Sequence, residues 1–374
     1  MKKQRRRNRI RRLFCRIAAL SAAIALTTAM PVNWGRLGRV LSVAAAGLQQ
    51  PVGVADLLCE QLGAEQSAQQ TVVSPQANAG NTSLPQNGET LPDIPTVSPP
   101  LETPPLTAVP PPGEKGDGGK VIEQIMDVGN TAEHGIATLN RSGTAVDIAA
   151  ALKRELTLSF ADTTEPQVLI LHTHTTEGYM TYDGGYYNAG DRNRTEDHSR
   201  NVCAVGEAIR LALKAHGVTA IHDTTVHDSP VYSGAYTRSA KTAEDYLKKY
   251  PTIRVVLDVH RDAVMQGDTD IVKPTAVVNG KKAAQMMLIT GVVSTTELPH
   301  PQWQENLTFA THLQQALGSH SRHLMRPLNT VASRYNQHLS PGWVLVEVGS
   351  EGNTVEEAVY AGQLLGETLA TLLK

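Results

Sequence analysis

Aromatic residues make up only 4% of this 374-residue chain, and cysteine occurs three times. Set against a hydrophobic content of 41%, that scarcity fits a globular core that does not run the whole length. The cysteines, Cys15, Cys59 and Cys203, form no C-x-x-C pair, so a thiolate zinc site has no support in the sequence. The spacing of Cys59 and Cys203 does not require a disulfide, and Cys203 falls on the apolar side of a helical pattern, where it reads as simply buried. No internal repeat is visible, which leaves no basis for a solenoid. Acid is missing from the first sixteen residues, which hold nine Lys or Arg, although the net charge of the whole is only −2.

That basic head runs into an apolar stretch, Ile17 to Val32. A positive region followed by an apolar one is the order of an export signal. At about sixteen residues the stretch sits at the short end for a membrane-spanning helix. Small residues at Ala44-Ala45-Ala46 before Gly47 offer a cleavage point, and the alternative is an uncleaved signal-anchor. The anchor is the preferred reading, with the head in the cytoplasm and the remainder outside. A nucleic-acid-binding arm would explain the arginines but not the apolar run, so no nucleic acid is expected as a partner. The expected organisation is therefore a basic head and signal-anchor over 1–35, an extracytoplasmic linker over 36–119 and a catalytic domain over 120–374. The linker reads as a disordered tether because Pro, Ser, Thr, Asn and Gly dominate it from about Val73, as in "TVSPPLETPPLTAVPPPGEKGDGG".

Beyond Lys120, "KVIEQIMDV" reads as a short helix and "TAVDIAAALKREL" as a longer one. From Val168 onward, strand runs (VLILHT, VTAIHD, IRVVLDV, MMLIT, WVLVEV) alternate with helical patterns. In "SRNVCAVGEAIRLALKAHG", Val202, Val205, Ile209, Ala212 and Leu213 share one face, Ser199 is the expected cap and Gly217 the stop. The last helix opens on Thr354 with Glu357 three residues on, a capping-box pattern. This alternation predicts a single three-layer α/β domain with a mainly parallel sheet.

In such sheets the functional site lies outside the carboxyl ends of the strands. There this chain places His172, His174 and Glu177 at the end of VLILHT, Asp258, His260, Arg261 and Asp262 at the end of IRVVLDV, and Glu347 in WVLVEV. Two imidazoles and a carboxylate are a usual protein ligand set for catalytic zinc, and a further carboxylate beside the ion can serve as general base. Strand alternation puts His172 and His174 on one side. Asp258, two residues before His260, suits a carboxylate that orients a ligand imidazole. The other histidines lack a matched partner and read as surface or capping residues, with His338 in a loop just before the Glu347 strand. The Gly- and Tyr-rich segment "TYDGGYYNAGDRNRTED" reads as a long loop, suited to sugar or peptide contact or else merely mobile.

The runs "VLILHTHTTEGYM", "DVHRDA", "HPQWQENLTFA", "RYNQHLSPG" and "VLVEVGSEGNTVEEA" resemble, in the same order, those of the stage II sporulation protein P family, from about Ile136 to the C-terminus. The resemblance implies an amidase-like fold and a zinc-dependent peptidoglycan hydrolase of endospore formers. Such an enzyme cleaves the N-acetylmuramoyl-L-alanine amide and, in some relatives, peptide cross-links. It implies action during engulfment, from the mother-cell membrane facing the forespore, beside the lytic transglycosylase called stage II sporulation protein D. Carried onto this sequence, it makes His174, Glu177 and His260 the Zn2+ ligands, with His172 in reserve. Glu347 becomes the general base, and Arg261 a residue that orients an acidic peptide or stabilises the oxyanion. In the wider amidase group the carboxylate ligand begins a helix, and here "EDHSRN" offers Glu196, Asp197 or His198 instead. Two rival readings stand beside it: a catalytically silent wall-binding module, and a metal-dependent deacetylase of wall sugars.

Overall fold

The computed structural model describes residues 118–126, 136–188, 194–292 and 299–374. The basic head, the signal-anchor and nearly all of the linker lie outside the described residues. Among the described residues no helix is long and apolar enough to cross a membrane.

Two sheets organise the domain. The larger has seven strands in the order β2 (Thr138–Asn140), β11 (Leu328–Val331), β10 (Met286–Gly291), β12 (Trp343–Ser350), β6 (Val255–Asp262), β3 (Val168–Leu171) and β5 (Ala220–His222). Every neighbouring pair is parallel except β10 with β12. The expected mainly parallel sheet is thus two parallel blocks meeting at one antiparallel seam. The smaller sheet links β4 (Tyr186–Tyr187), β1 (Gly119–Gln124), β8 (Asp270–Val278) and β7 (Met265–Gln266), with β9 (Lys281–Ala284) pairing to β8. Nothing in the strand–helix alternation foresaw this mixed sheet.

Helices lie on both faces of the large sheet because its strands alternate two apolar sets. Val168, Ile170, Val255, Leu257, Val259, Val344 and Val346 point to a core shared with α1 (Ile148–Lys153), α2 (Val202–Ala215), α4 (Trp303–Gly318) and α5 (Val355–Leu372). Leu169, Leu171, Val256 and Trp343 point the other way, onto α3 (Ala235–Lys249). Trp343 and Phe309 are fully buried, and each such side chain contributes on the order of 2–3 kcal/mol through its removal from water. Helices α2 and α5 approach closely enough that a Cβ on Gly366 would come within 2.7 Å of the Ile209 carbonyl oxygen, so only glycine fits there.

Helix ends follow local chemistry. Thr354 and Glu357 form the expected capping box on α5. Thr354→Ala is expected to cost about 1 kcal/mol, read as a lowered urea midpoint with an unchanged slope. Gly217, at φ +76°, follows α2 as expected, but the cap of α2 is Asn201, whose side chain accepts from Cys203 N. Ser199 instead bonds Asp197.

Two expectations fail. "KVIEQIMDV" holds strand β1, not a helix, because β8 offers it a parallel edge from Val121 to Gln124, and a helix of nine residues has little stability of its own. The Tyr-rich loop is partly a strand: Tyr187 is buried, donates its hydroxyl to Thr269 O and packs with Tyr182, Met180 and Ile271. These rings build the small sheet's core rather than a carbohydrate surface. Residues 189–193 of that loop lie outside the described residues.

Candidate active site

Strands β3, β6 and β12 are neighbours and parallel, so their carboxyl ends share one rim. The register places Glu347 directly beside His260, both on the face that carries α3. Asp258 lies one alternation earlier on the same face as His260.

His260 is buried between two carboxylates. Its Nδ1 is 3.4 Å from Glu177 Oε2, and its Nε2 is 2.9 Å from Asp258 Oδ1. Burial alone would lower its pKa, but Asp258 and then Glu177 raise it well above the usual histidine value. Burial would likewise raise Glu177, and the hydrogen bond and charge of His260 outweigh it and hold the carboxyl well below the usual range. Glu177 Oε2 also accepts from Arg261 N, at 3.1 Å. Asp258 accepts from both the backbone N–H and the hydroxyl of Thr173, which fixes the turn leading into His174.

His174 stacks on Tyr232, with ring centroids 4.5 Å apart, and meets His260 edge-on at 5.3 Å. Its Nε2 is 3.0 Å from the Tyr232 hydroxyl, while its Nδ1 is buried without a hydrogen-bond partner. Burial lowers its pKa to about 3, so the ring is neutral.

Glu347 is the outlier of the rim. Its Oε2 is buried without a partner. Burial, and then the charge of Asp262, push its pKa up to about 8. Asp262 itself is held by Arg326, at 2.7 Å. A carboxyl poised near neutrality is what general acid–base chemistry uses.

His172 does not join His174. Strand β3 stops at Leu171 and the chain turns at once, so pleat alternation does not carry past it. His172 faces α2, with its Nε2 2.9 Å from His222 Nε2. Arg261 is on the opposite face of β6 from His260. Its guanidinium donates to Gly178 O at 3.0 Å and lies 3.6 Å from Glu351 Oε2, so it is engaged within the fold. None of the alternatives at the start of α2 reaches His260 by a described contact: Glu196 accepts from Ser229 Oγ, Asp197 caps Ser199, and His198 is half-buried near His222. His338 sits with Arg334 and His300, which together with burial lower its pKa to about 4.

Sequence reasoning missed Tyr232, Tyr236 and Tyr335, which line the rim. Tyr236 stacks with His260 at 6.4 Å and touches Tyr335 at 5.4 Å. Tyr335 adopts φ +44°, and burial followed by the charge of Glu347 raises its pKa to about 12. It also missed Arg194, which lies 4.6 Å over the Tyr232 ring and bonds Asp228. The four-residue spacing of Tyr232 and Tyr236 at the start of a helix was the only available signal.

The donor set fits zinc in type, two imidazoles and a carboxylate. The 3.4 Å between His260 Nδ1 and Glu177 Oε2 matches about what two ligands keep around a tetrahedral ion. His174 stands further off and has to move in. Among the described residues, the three donors already within 4.8 Å of one another are a different set, His172, Cys203 and His222.

Fold and rim together define an α/β domain with a histidine–carboxylate centre at the carboxyl ends of its parallel strands. The chain belongs to the stage II sporulation protein P family, whose model matches residues 119–370. Among solved structures, it is similar to the N-acetylmuramoyl-L-alanine amidase from Clostridium difficile 630, at 11% identity, 56% of this chain, 95% of that chain and TM-score 0.33. It is similar to the CwlD amidase from Clostridioides difficile, solved in complex with the GerS lipoprotein, at 12% identity, 55% and 98% coverage and TM-score 0.33. A third is the N-acetylmuramyl-L-alanine amidase Ami1 from Mycobacterium smegmatis, at 14% identity, 56% and 97% coverage and TM-score 0.33. Comparison with curated proteins gives no match.

Proposed function

We propose that the domain is a metal-dependent peptidoglycan hydrolase of sporulation, cutting the N-acetylmuramoyl-L-alanine amide and, secondarily, peptide cross-links. The observation that carries the reading is Glu347, a part-buried carboxyl whose Oε2 has no partner and whose pKa is pushed up to about 8, set by strand register beside His260. Membership of the sporulation family supports the substrate class.

In this reading His174, Glu177 and His260 hold zinc. The ion would polarise the amide carbonyl and acidify water. Glu347, which the positive charge of the bound ion would hold ionised, takes the proton of the attacking water as the new C–O bond forms. It returns that proton to the leaving nitrogen as the C–N bond breaks, releasing L-Ala with its stem peptide. Asp258 orients His260 and, through Thr173, the turn that carries His174. Tyr232, Tyr236 and Tyr335 give the rim apolar faces with hydroxyl tips, suited to sugar and peptide alike. Arg261 contributes through its backbone N–H, which positions Glu177, rather than through its guanidinium. The proposal includes residues 1–35 as the anchor in the mother-cell membrane, the Pro-rich tether as its reach to the wall, and the sporulation lytic transglycosylase as partner.

The test is digestion of purified peptidoglycan by the full chain, with and without chelator, read by mass spectrometry. Free stem peptides that vanish with chelator and return with zinc are the expected result. Released acetate would make the protein a deacetylase, and bound but uncut wall in the presence of zinc and the transglycosylase would make it a binding module.

A further inference from the structure

Across the large sheet from Glu347, three donors from three elements converge. His172 follows β3, His222 ends the adjacent strand β5, and Cys203 lies in the first turn of α2. All three potential ligand atoms lie within 4.8 Å of one another. Cys203 is a buried free thiol, His172 is fully buried, and His222 is the one partly exposed member.

The hydrogen bonds fix what the rings can do. His172 Nδ1 lies 2.9 Å from Val259 O, and a carbonyl only accepts, so that nitrogen carries the proton. His222 Nδ1 faces the Glu207 carboxylate at 3.4 Å, so it too is the protonated nitrogen. Glu207 is itself fixed by two hydrogen bonds from the Arg210 guanidinium, at 2.8 and 2.7 Å. On a neutral ring supported in this way Nε2 is a lone pair, and the two Nε2 atoms face each other across 2.9 Å. At 2.9 Å the pair is a hydrogen bond if one Nε2 carries a proton, and a metal ion held by both would replace that proton and sit off the line between them, with the nitrogens slightly further apart. Outer nitrogens held by a carbonyl and a carboxylate are the usual support of metal-bound histidines.

The backbone keeps the space clear. A Cβ on Gly206 would come within 2.8 Å of His172 Nε2 and closer still to His222 Nε2. One turn of α2 beyond Cys203, only glycine leaves room for both rings and an ion.

We propose that His172, His222 and Cys203 form a second metal site, separate from the catalytic rim, which binds a zinc-class divalent ion through two imidazoles and one thiolate. This ligand set selects such ions over magnesium or calcium. Loading takes one proton from the Cys203 thiol and releases it to solvent, both rings bind neutral, and no electron is transferred. The bound ion ties the end of β3 to β5 and α2, two residues before His174. Its role is to brace the strand end on which the catalytic rim is built.

Cobalt distinguishes the two centres, since only this one contains sulfur. The full chain carrying Cys15→Ser and Cys59→Ser, so that Cys203 is its only thiol, is stripped with chelator and titrated with Co(II). The expected result is a thiolate-to-cobalt charge-transfer band in the near ultraviolet whose final amplitude corresponds to one cobalt per chain. Cys203→Ala should abolish the band and lower the bound cobalt by one ion per chain. Glu207→Gln, which keeps all three ligands, should weaken the band-forming site about 10–100-fold. Cobalt binding with no thiolate band in the Cys203-containing protein would overturn the proposal and leave the two rings sharing a proton. The band is read without any wall substrate, so it stands or falls independently of the hydrolase reading.

Discussion

Glu347→Gln is expected to lower turnover of peptidoglycan by about 10²–10⁴-fold, the usual worth of a positioned general base, while wall binding persists. The amide has nearly the shape of the acid and no basic oxygen to take a proton. The same substitution has a second, opposite signature in the metal-stripped protein. The folded chain keeps Glu347 protonated up to pH about 8, whereas the usual carboxyl value is 4.5. Between those values the folded state binds a proton that the unfolded state does not. This contribution is therefore fully present below about pH 4.5 and is lost as pH rises toward 8, at up to about 1.4 kcal/mol per pH unit. Gln cannot ionise. Thermal melts should show variant and wild type alike at pH 4 and the variant the more stable at pH 8. An equal difference at both pH values would mean that Glu347 is not held protonated. A loss of activity without the stability crossover would still allow a base, but one whose proton affinity is set by the bound ion rather than by the fold.

The parts of this site that were legible in sequence are those tied to strand periodicity. Val168–Leu171, Val255–Asp262 and Trp343–Ser350 are strands where apolar runs demanded them, and their parallel order brings Glu177, His260 and Glu347 to one rim. Helix α4 matches its pattern from Trp303 to Gly318 because nothing in that run competes with the helical period. What was not legible depends on partners distant in the chain. Periodicity carries no strand direction, so the antiparallel seam between β10 and β12 left no trace. Strand β8 contains Lys273 and Pro274, both unfavourable signs for a buried strand, and only the neighbouring β1, β7 and β9 make it one. Pleat alternation carried past Leu171 puts His172 on the face of His174, but the strand ends at Leu171. Cys203 is indeed buried, but its closeness to two histidines exists only once β5 lies beside β3.

Lys273→Met is expected to destabilise the domain by about 3–5 kcal/mol, the range for breaking a buried ion pair from one side. The Lys273 side chain is 2% exposed and its Nζ lies 2.7 Å from Glu357 Oε1 and 2.8 Å from Asp183 Oδ1. Asp183 is half solvated, at 47% exposure, and tolerates the loss. Glu357 is buried and does not: without the ammonium it keeps only its neutral donors, Asn353 Nδ2 and Thr354 N. The double variant Lys273→Met/Glu357→Gln removes both charges, keeps an oxygen for the Thr354 capping bond, and should recover most of the lost stability. Urea denaturation of the four proteins of this cycle measures the coupling. Loss below about 1 kcal/mol in the single variant, or no recovery in the double, would mean that the pair behaves as a solvated surface contact. The consequence reaches the catalytic rim. Thr354 forms a bridge to Met180, and Tyr179 donates its hydroxyl to Val348 O, so the segment that follows Glu177 is seated on the start of α5 and the end of β12. Loosening α5 at Glu357 should therefore lower the temperature at which activity is lost, in step with the fall in stability and without changing which bond is cut.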